Sequence, residues 1–228
     1  MNRTFIRILL SAALLLGSVS TLCAQSSREW IRQNIRQQGQ CRNVAITCYG
    51  GDLMLYGKNG YASKGCPQSL TQALHELNED GSYIDDVQIT EQGRWIILYG
   101  NNGIRWNDIP YSLERKLREY NDNDEVIYSV TFNDAGDWIV ITKNYFSASD
   151  TDLQAWLKDG LDKGKLWSAC LTDDACVAVY AEGYKVLGDI PPTLRRALKE
   201  TRLDVYRLKI ACTSWFFADI DGNYDYHM

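Results

Sequence analysis

Hydrophobic and polar positions recur along most of this chain with a period of about 40 residues. Shifting the sequence by 43 residues places residues 44–47 on 87–90, and residues 55–57 on 98–100. Further shifts of 43, 40 and 40 residues continue the column of apolar residues that contains Val87, Val130, Cys170 and Ile210. Because so many matches share one register, the pattern indicates a tandem repeat.

Each repeat has the same order of predicted elements. A short helix with leucine or isoleucine at positions i and i+4 comes first, and this spacing places both side chains on one helix face. An alternating strand, a tight turn, a second and more apolar strand, and a short third strand follow. Asp150 or Thr151 is expected to cap the fourth helix. The helical pairs are Ile31/Ile35, Leu70/Leu74, Leu113/Leu117, Leu153/Leu157 and Leu194/Leu198.

The predicted fold is an α+β repeat of helix–β-hairpin or meander units. One unit cannot bury its own sheet face, so neighbouring units must stack. Closure of the stack into an α/β-propeller-like ring removes exposed strand edges, and we predict it, with an open solenoid as the alternative. The single repeat domain, residues 25–228, has five units, which span about 27–66, 67–109, 110–149, 150–190 and 191–228.

One stretch, which begins in the second unit, resembles a known kind of sequence repeat. Residues 93–103 read G-x-W-hydrophobic-Y-G-x-N-G, and residues 109–117 read I-P-x-x-L-x-x-x-L. This pattern resembles tandem repeats of uncharacterised function in secreted bacterial proteins, and the resemblance implies a repeat scaffold without a particular activity. Unit three lacks the Tyr-Gly and Ile-Pro pairs, and unit four lacks the tryptophan. The five-fold architecture is also similar to guanidine-modifying α/β-propellers, a likeness of architecture that assigns no function.

Residues 1–24 are interpreted as a secretion signal. Arg3 and Arg7 precede an apolar run, and a small residue, Ala24, stands at the expected cleavage point. We therefore expect a periplasmic or extracellular protein. Lipid attachment at Cys23 is the alternative, but Leu22 is a poor fit because such sites require a small residue before the cysteine. Every apolar run is too short to span a bilayer, so no membrane span is expected.

Composition narrows the class of protein further. The chain has 24 Lys and Arg against 29 Asp and Glu, a net charge of −5, which argues against a nucleic-acid-binding surface. Its 45% hydrophobic residues exclude a disordered chain. Removal of the signal leaves six cysteines, which an exported protein can pair in many ways, so disulfides are allowed and their connectivity is not determined. These are Cys41, Cys48, Cys66, Cys170, Cys176 and Cys212.

The sequence offers few catalytic residues. It has two histidines, His75 in a predicted helix and His227 near the C-terminus. A Cys212–His227 pair is one nucleophilic arrangement to consider, with a surface histidine and a terminal tail as the simpler interpretation. The repeat alignment instead predicts that Cys170, Cys176 and Cys212 occupy inward-facing apolar positions. Four acids near the first hairpin turns of units three and four suggest a carboxylate-dependent hydrolase: Asp134, Asp137, Asp173 and Asp174.

One short motif resembles a metal site. Oxygen donors at alternate positions, Asp219, Asp221, Asn223 and Asp225, suit Ca²⁺. The glycine of the motif stands at its fourth position instead of the sixth, where a calcium loop needs it, and the repeat register places the segment on a hairpin turn. Ca²⁺ and a simple turn are therefore both open interpretations.

Aromatic residues are the most unusual feature of the chain, with 14 Tyr and 7 Trp. Trp95, Trp138 and Trp215 share one repeat position and are expected in the core. Others fall near the third strands, where they either bind a protein or glycan partner or cover the seam between helix and sheet. We expect a non-enzymatic exported binding scaffold, with a hydrolase or an inhibitor of an exported enzyme as alternatives. The candidate binding residues are Tyr61, Trp106, Tyr145, Phe146 and Tyr184.

Overall fold

A computed structural model describes residues 27–228, and the predicted signal, residues 1–24, lies outside them. The helices are α1 (27–38), α2 (Gln68–Glu79), α3 (Tyr111–Asp122), α4 (Thr151–Asp159) and α5 (Pro192–Glu200). A short 3₁₀ turn follows α4 at Leu161–Lys163. None of the helices in the described part of the chain is long and apolar enough to cross a membrane.

The strands form five three-stranded antiparallel sheets in residues 27–228, each built from consecutive strands. A helix precedes each sheet, so the predicted repetition of helix and sheet is confirmed. The sheets are β1 (Cys41–Ile46), β2 (Asp52–Tyr56) and β3 (Gly60–Lys64); β4 (Ile84–Ile89), β5 (Trp95–Tyr99) and β6 (Gly103–Asn107); β7 (Ile127–Phe132), β8 (Trp138–Thr142) and β9 (Phe146–Ala148); β10 (Leu166–Leu171), β11 (Ala175–Tyr180) and β12 (Gly183–Gly188); and β13 (Arg207–Ala211), β14 (Ser214–Ala218) and β15 (Tyr224–His227).

The helices begin where the sequence predicts. Pro67, Pro110 and Pro191 occupy the N-cap positions of α2, α3 and α5. The Asp150 carboxylate caps α4 by accepting hydrogen bonds from two backbone N–H groups. The leucine pair of each helix from α2 to α5, such as Leu70 and Leu74, is buried.

A repeated hydrogen bond joins the second strand of a unit to the start of its helix. The indole N–H groups of Trp95, Trp138 and Trp215 donate to Ser69, Ser112 and Thr193 at 3.0, 2.9 and 3.1 Å. These tryptophans are almost fully buried, which confirms their predicted place in the core, and the hydroxyl groups satisfy their single donors.

The core consists of five clusters of buried side chains, and four of them lie between consecutive sheets. The fifth cluster joins the last sheet to the first unit: Phe216 and Ala218 of β14 pack with Ile31 and Ile35 of α1 and with β1. The first strands of the units also contact one another in succession, β1 with β4, β4 with β7, β7 with β10, β10 with β13, and β13 with β1.

Strand pairing corrects the predicted alignment of two cysteines. Trp138 pairs with Phe132 and Cys176 pairs with Leu171, so Cys176 matches the tryptophan position as predicted. Cys170 is then equivalent to Thr131, not to Val130, and the prediction was wrong by one residue. A one-residue shift moves a side chain to the other sheet face. Cys212 was also misplaced, because it lies in the turn after β13 and not in the strand.

Candidate functional site

The five first strands end at one cavity of about 200 Å³, and residues from all five units line it. Each first hairpin turn carries an equivalent residue, two positions after the strand residue that matches Ile89 in its unit. In chain order these residues are Cys48, Glu91, Asp134, Asp173 and Cys212. We call the cavity and its five lining carboxylates the turn-end site; the carboxylates are Glu91, Asp134, Asp173, Asp174 and Asp189.

Two of the five equivalent positions hold a disulfide. Cys48 and Cys212 are bonded to each other, with a sequence separation of 164 residues, and so connect the first unit to the last. Cys212 is therefore not a free nucleophile, and His227 stacks on Trp215 with ring centroids 6.2 Å apart. The structure thus contradicts the Cys212–His227 pair.

Four other cysteines of the described chain are free thiols. Burial raises the pKa of Cys41 and of Cys66 to about 12, and that of Cys170 to about 11. Burial also raises the pKa of Cys176. Thiolates are the reactive form, so burial disfavours nucleophilic chemistry at these thiols, and all four pack in or against core clusters as small apolar side chains do.

Carboxylates tie successive first turns together at the turn-end site. Both oxygens of Glu91 accept the backbone N–H of Cys48, at 2.7 and 2.9 Å. Asp134 accepts the backbone N–H of Gln92 at 3.0 Å. Burial raises the pKa of Glu91, and the negative charge of Asp134 acts in the same direction, while the backbone N–H groups of Cys48 and Tyr49 and the charge of Arg28 oppose the shift.

Glu91→Gln is expected to gain stability relative to the wild type as pH rises above the ordinary glutamate pKa of 4.5. The folded protein holds the Glu91 proton more tightly than the unfolded chain, so the wild type loses stability between that value and the raised pKa, whereas glutamine has no proton to lose. Urea unfolding of both proteins at pH 4 and pH 7 measures the difference. Thr90→Val, a neutral change in the same cavity, is the control, and an equal difference at both pH values would contradict the prediction.

The structure brings together three of the four acids proposed for a hydrolase. Asp134, Asp173 and Asp174 line the turn-end cavity, while Asp137 lies in a neighbouring hollow beside the start of α4 and contacts Ser149 at 3.3 Å. Glu91 is not among the acids named from the sequence, although the repeat shift that places Val87 on Val130 also places Glu91 on Asp134.

Between the two ends of the first strands lies a buried charged network. Asp86, which is 3% exposed, accepts hydrogen bonds from Lys209 at 2.7 Å, Arg207 at 3.2 Å and Asn43 at 2.7 Å. Arg207 also contacts Asp85 at 2.6 Å. Burial lowers the pKa of Arg207, but the charges of Asp86 and Asp85 outweigh it and hold the pKa above the ordinary arginine value. Units one, two and five are thus joined through one buried carboxylate.

The opposite ends of the first strands carry a second set of equivalent residues. A bulge in each of β1, β4, β7 and β10 leaves one residue out of the strand register. In unit five the equivalent residue is Tyr206, which precedes β13 and donates its backbone N–H to Ala218. We call these residues the bulge-end surface: Arg42, Asp85, Tyr128, Trp167 and Tyr206.

Cations and aromatic rings alternate across the bulge-end surface. Lys165 lies 4.9 Å from the ring centroid of Tyr128 and 5.0 Å from that of Trp167. Trp167 contacts Tyr206 edge to face at 5.9 Å. Arg42 lies 4.4 Å from the ring centroid of Tyr83. These contacts hold the aromatic rings in fixed orientations.

A hollow of about 600 Å³ opens beside the bulge-end surface. Arg42, Tyr83 and Tyr206 line it together with Ile220, whose side chain is 75% exposed. An apolar side chain so exposed, next to ordered aromatic rings, is typical of a binding surface. The sequence does not single out the bulge-end residues, because the five equivalent positions hold different residue types and so form no repeated motif.

Four of the five aromatic residues predicted to bind a partner lie on the third strands of their sheets, and Tyr145 lies just before β9. Tyr61, Trp106, Phe146 and Tyr184 are half-buried, and each packs against a different core cluster. They belong to four different units, and their packing favours the interpretation that they cover the seam between helix and sheet. Tyr145 is 60% exposed. Their role in binding stays a prediction.

The segment proposed for calcium forms a hairpin turn between β14 and β15. Asp219 accepts hydrogen bonds from the backbone N–H and the side-chain amide of Asn223, both at 2.8 Å. Asp225 lies within β15. Residues 27–228 contain no group of three or more acidic, histidine or cysteine side chains that could hold a metal ion, and Asp219 serves the turn.

The chain matches no family model and no curated protein sequence.

Proposed function

We propose that this protein is a non-enzymatic exported scaffold that binds a protein partner through the bulge-end surface. The single observation that carries the proposal is the concentration of tyrosine, tryptophan and arginine at four of five equivalent positions of one face, the fifth being Asp85. These residue types dominate the binding energy of protein interfaces. Here they lie at the strand ends and already contact cations or neighbouring rings, and side chains restricted in this way lose less entropy on binding.

We further propose that the five units close into an α/β-propeller-like ring. Three features support closure: the fifth core cluster, the contact between β13 and β1, and the Cys48–Cys212 disulfide. Arg28 of α1 adds a hydrogen bond to Ser214 of unit five at 3.0 Å. In a closed ring the bulge-end residues surround one axis and present a continuous surface.

A protein partner fits the bulge-end surface better than a glycan. Sugars stack on open aromatic faces, whereas Tyr83, Tyr128 and Trp167 already have a cation near their rings. Their edges, with exposed Ile220, suit the mixed apolar and polar packing of a protein interface. The disulfide is compatible with export.

The double variant Tyr83→Ala/Trp167→Ala is expected to weaken partner binding by about 30-fold or more, because truncating an interface hot spot costs about 2 kcal/mol. Immobilised wild type and variant would be compared for proteins retained from an exported-protein fraction, with affinities then measured on the purified partner. Tyr111→Ala removes an exposed tyrosine from α3 and is the control. Retention of the same proteins by the double variant, or binding to a glycan array instead, would overturn the proposal.

A carboxylate-dependent hydrolase is the second candidate. The observation that favours it is the convergence of Glu91, Asp134 and Asp173 on one cavity, where burial raises the pKa of Glu91, since a carboxyl group with a raised pKa can act as a proton donor beside other carboxylates. Glu91 uses both oxygens to bind Cys48, which supports a structural role first. Turnover of glycoside or peptide substrates that Glu91→Gln abolishes would establish the hydrolase.

A further inference from the structure

The turn-end site contains polar atoms that the described residues leave without partners. Thr90 is 6% exposed and lines the cavity, and its hydroxyl has no hydrogen-bond partner in residues 27–228. One oxygen of Asp134, Oδ1, is also buried without a partner there. Buried polar groups in native proteins are almost always satisfied. These two atoms therefore point to a ligand that donates hydrogen bonds.

Thr90 differs from the threonines at its equivalent positions. The hydroxyl of Thr47 accepts the backbone N–H of Gly51, and that of Thr172 accepts the N–H of Ala175. Each of those two groups closes its own hairpin turn. Thr90 does not take part in its turn in this way, so its hydroxyl remains available to the cavity.

The charge of the turn-end site is also unbalanced. None of its five carboxylates forms an ion pair with a lysine or arginine within the described part of the chain. Arg28 acts on Glu91 from a distance, but it is paired with Asp52 and hydrogen-bonded to Ser214. A cavity lined by one sign of charge concentrates ions of the opposite sign.

The cavity walls combine acids with apolar side chains. Ile89, Phe132, Leu171 and Ile210 line the cavity together with the carboxylates. Its volume is about 200 Å³, several times the ~30 Å³ that one water occupies in the liquid. Such a cavity suits a cation that carries a short apolar stem.

The hydrogen bonds already made at the site decide which cationic head fits. A planar guanidinium binds best to a carboxylate with two free oxygens. Asp173, Asp174 and Asp189 are exposed, so the half-buried acids Glu91 and Asp134 are the ones that would hold a cation inside the cavity. Of these two, Asp134 accepts the N–H of Gln92 with one oxygen, and Glu91 accepts that of Cys48 with both. An ammonium group has three separate donors and can bond single acceptors such as Asp134 Oδ1 and the Thr90 hydroxyl.

We propose that the turn-end site binds a primary alkylammonium ion, with its head on Asp134 and Thr90 and its stem against Ile89 and Phe132. The ion is either a free amine or a lysine side chain of another protein, and both share this chemistry. The proposal is independent of the bulge-end surface, which lies at the opposite ends of the same strands.

The test is a titration of the isotope-labelled full-length secreted protein with n-butylammonium chloride, followed by NMR. We expect saturable shifts of the backbone N–H signals of Gln92 and Cys48, with a dissociation constant of roughly millimolar size for so small a ligand. Nuclear Overhauser contacts from the butyl chain to Ile89 and Phe132 would place the stem. A lysine-containing peptide and the same peptide with acetylated lysine then separate the two sources of the ion.

Two isosteric variants make the test specific. Asp134→Asn keeps an acceptor for Gln92, and Thr90→Val keeps the side-chain shape; each is expected to weaken butylammonium binding about 10-fold or more, because hydrogen bonds to charged groups are lost. Asp122→Asn removes the same charge from an exposed residue at the C-terminal end of α3 that does not line the cavity, and it should leave binding unchanged. Equal binding of tetramethylammonium, which has no N–H donor, would overturn the proposal. So would saturable binding of CaCl₂ alone, or unchanged affinity in both variants.

Discussion

Replacing Cys48 and Cys212 together by serine is expected to lower the free energy of unfolding by about 4–5 kcal/mol. The bond closes a loop of 164 residues, and the entropy that a cross-link removes from the unfolded chain increases with loop length. Urea unfolding of the double variant against the wild type, both without reductant, measures the change.

Cys66→Ser is the matched control for this prediction. It removes a free thiol of unit one and leaves the disulfide in place, so its effect should be much smaller. Non-reducing digestion should yield one peptide pair joined through Cys48 and Cys212. A double variant as stable as the wild type, or a different pairing in the digest, would contradict the prediction and remove one of the three supports for ring closure.

Asp86→Ala is expected to destabilise the protein by about 3–5 kcal/mol. The change leaves Arg207 and Lys209 buried without their shared carboxylate, and an unpaired buried charge is far more costly than the pair is favourable. Chemical unfolding at neutral pH provides the measurement.

Two further variants separate the charge effect from a loss of packing. Asp85→Ala removes the more exposed carboxylate that contacts Arg207 and should cost about 1 kcal/mol or less. Adding Lys209→Met to Asp86→Ala should restore part of the lost stability, because it removes one of the stranded cations. If Asp85→Ala is as damaging as Asp86→Ala, the network does not depend on the buried carboxylate as described.

The network lies between the two ends of the first strands. On β4, Asp86 follows Asp85, which belongs to the bulge-end surface, and precedes Gln88, which is nearer the turn-end site and accepts a hydrogen bond from Lys209 at 3.3 Å. Because the central carboxylate fixes three units, loss of Asp86 is expected to disturb both candidate binding surfaces. Asp86 variants are therefore tests of stability and not of binding.

The sequence by itself determined the repeat, the order of elements and much of the core. Leucine pairs four residues apart, a proline or aspartate at the start of α2 to α5, and glycine turns are local signals, and local chemistry is enough to place them. The buried tryptophans were predicted for the same reason, because one repeat position kept the same residue. The alignment failed by one residue at Cys170, where the repeat is shorter and spacing alone does not define which sheet face a residue occupies.

Only the tertiary structure decided the candidate sites. Cys48 pairs with Cys212, and Asp86 pairs with Lys209, across separations of 164 and 123 residues. No local pattern encodes such pairs, since they depend on how the last unit meets the first and second. The repeat implies that equivalent residues face equivalent directions, but it does not say which ends converge. The five first strands pack side by side, which brings the acids of the hairpin turns together at one end of these strands and the aromatic residues of the bulges together at the other. Residues that are far apart in the sequence therefore share a surface.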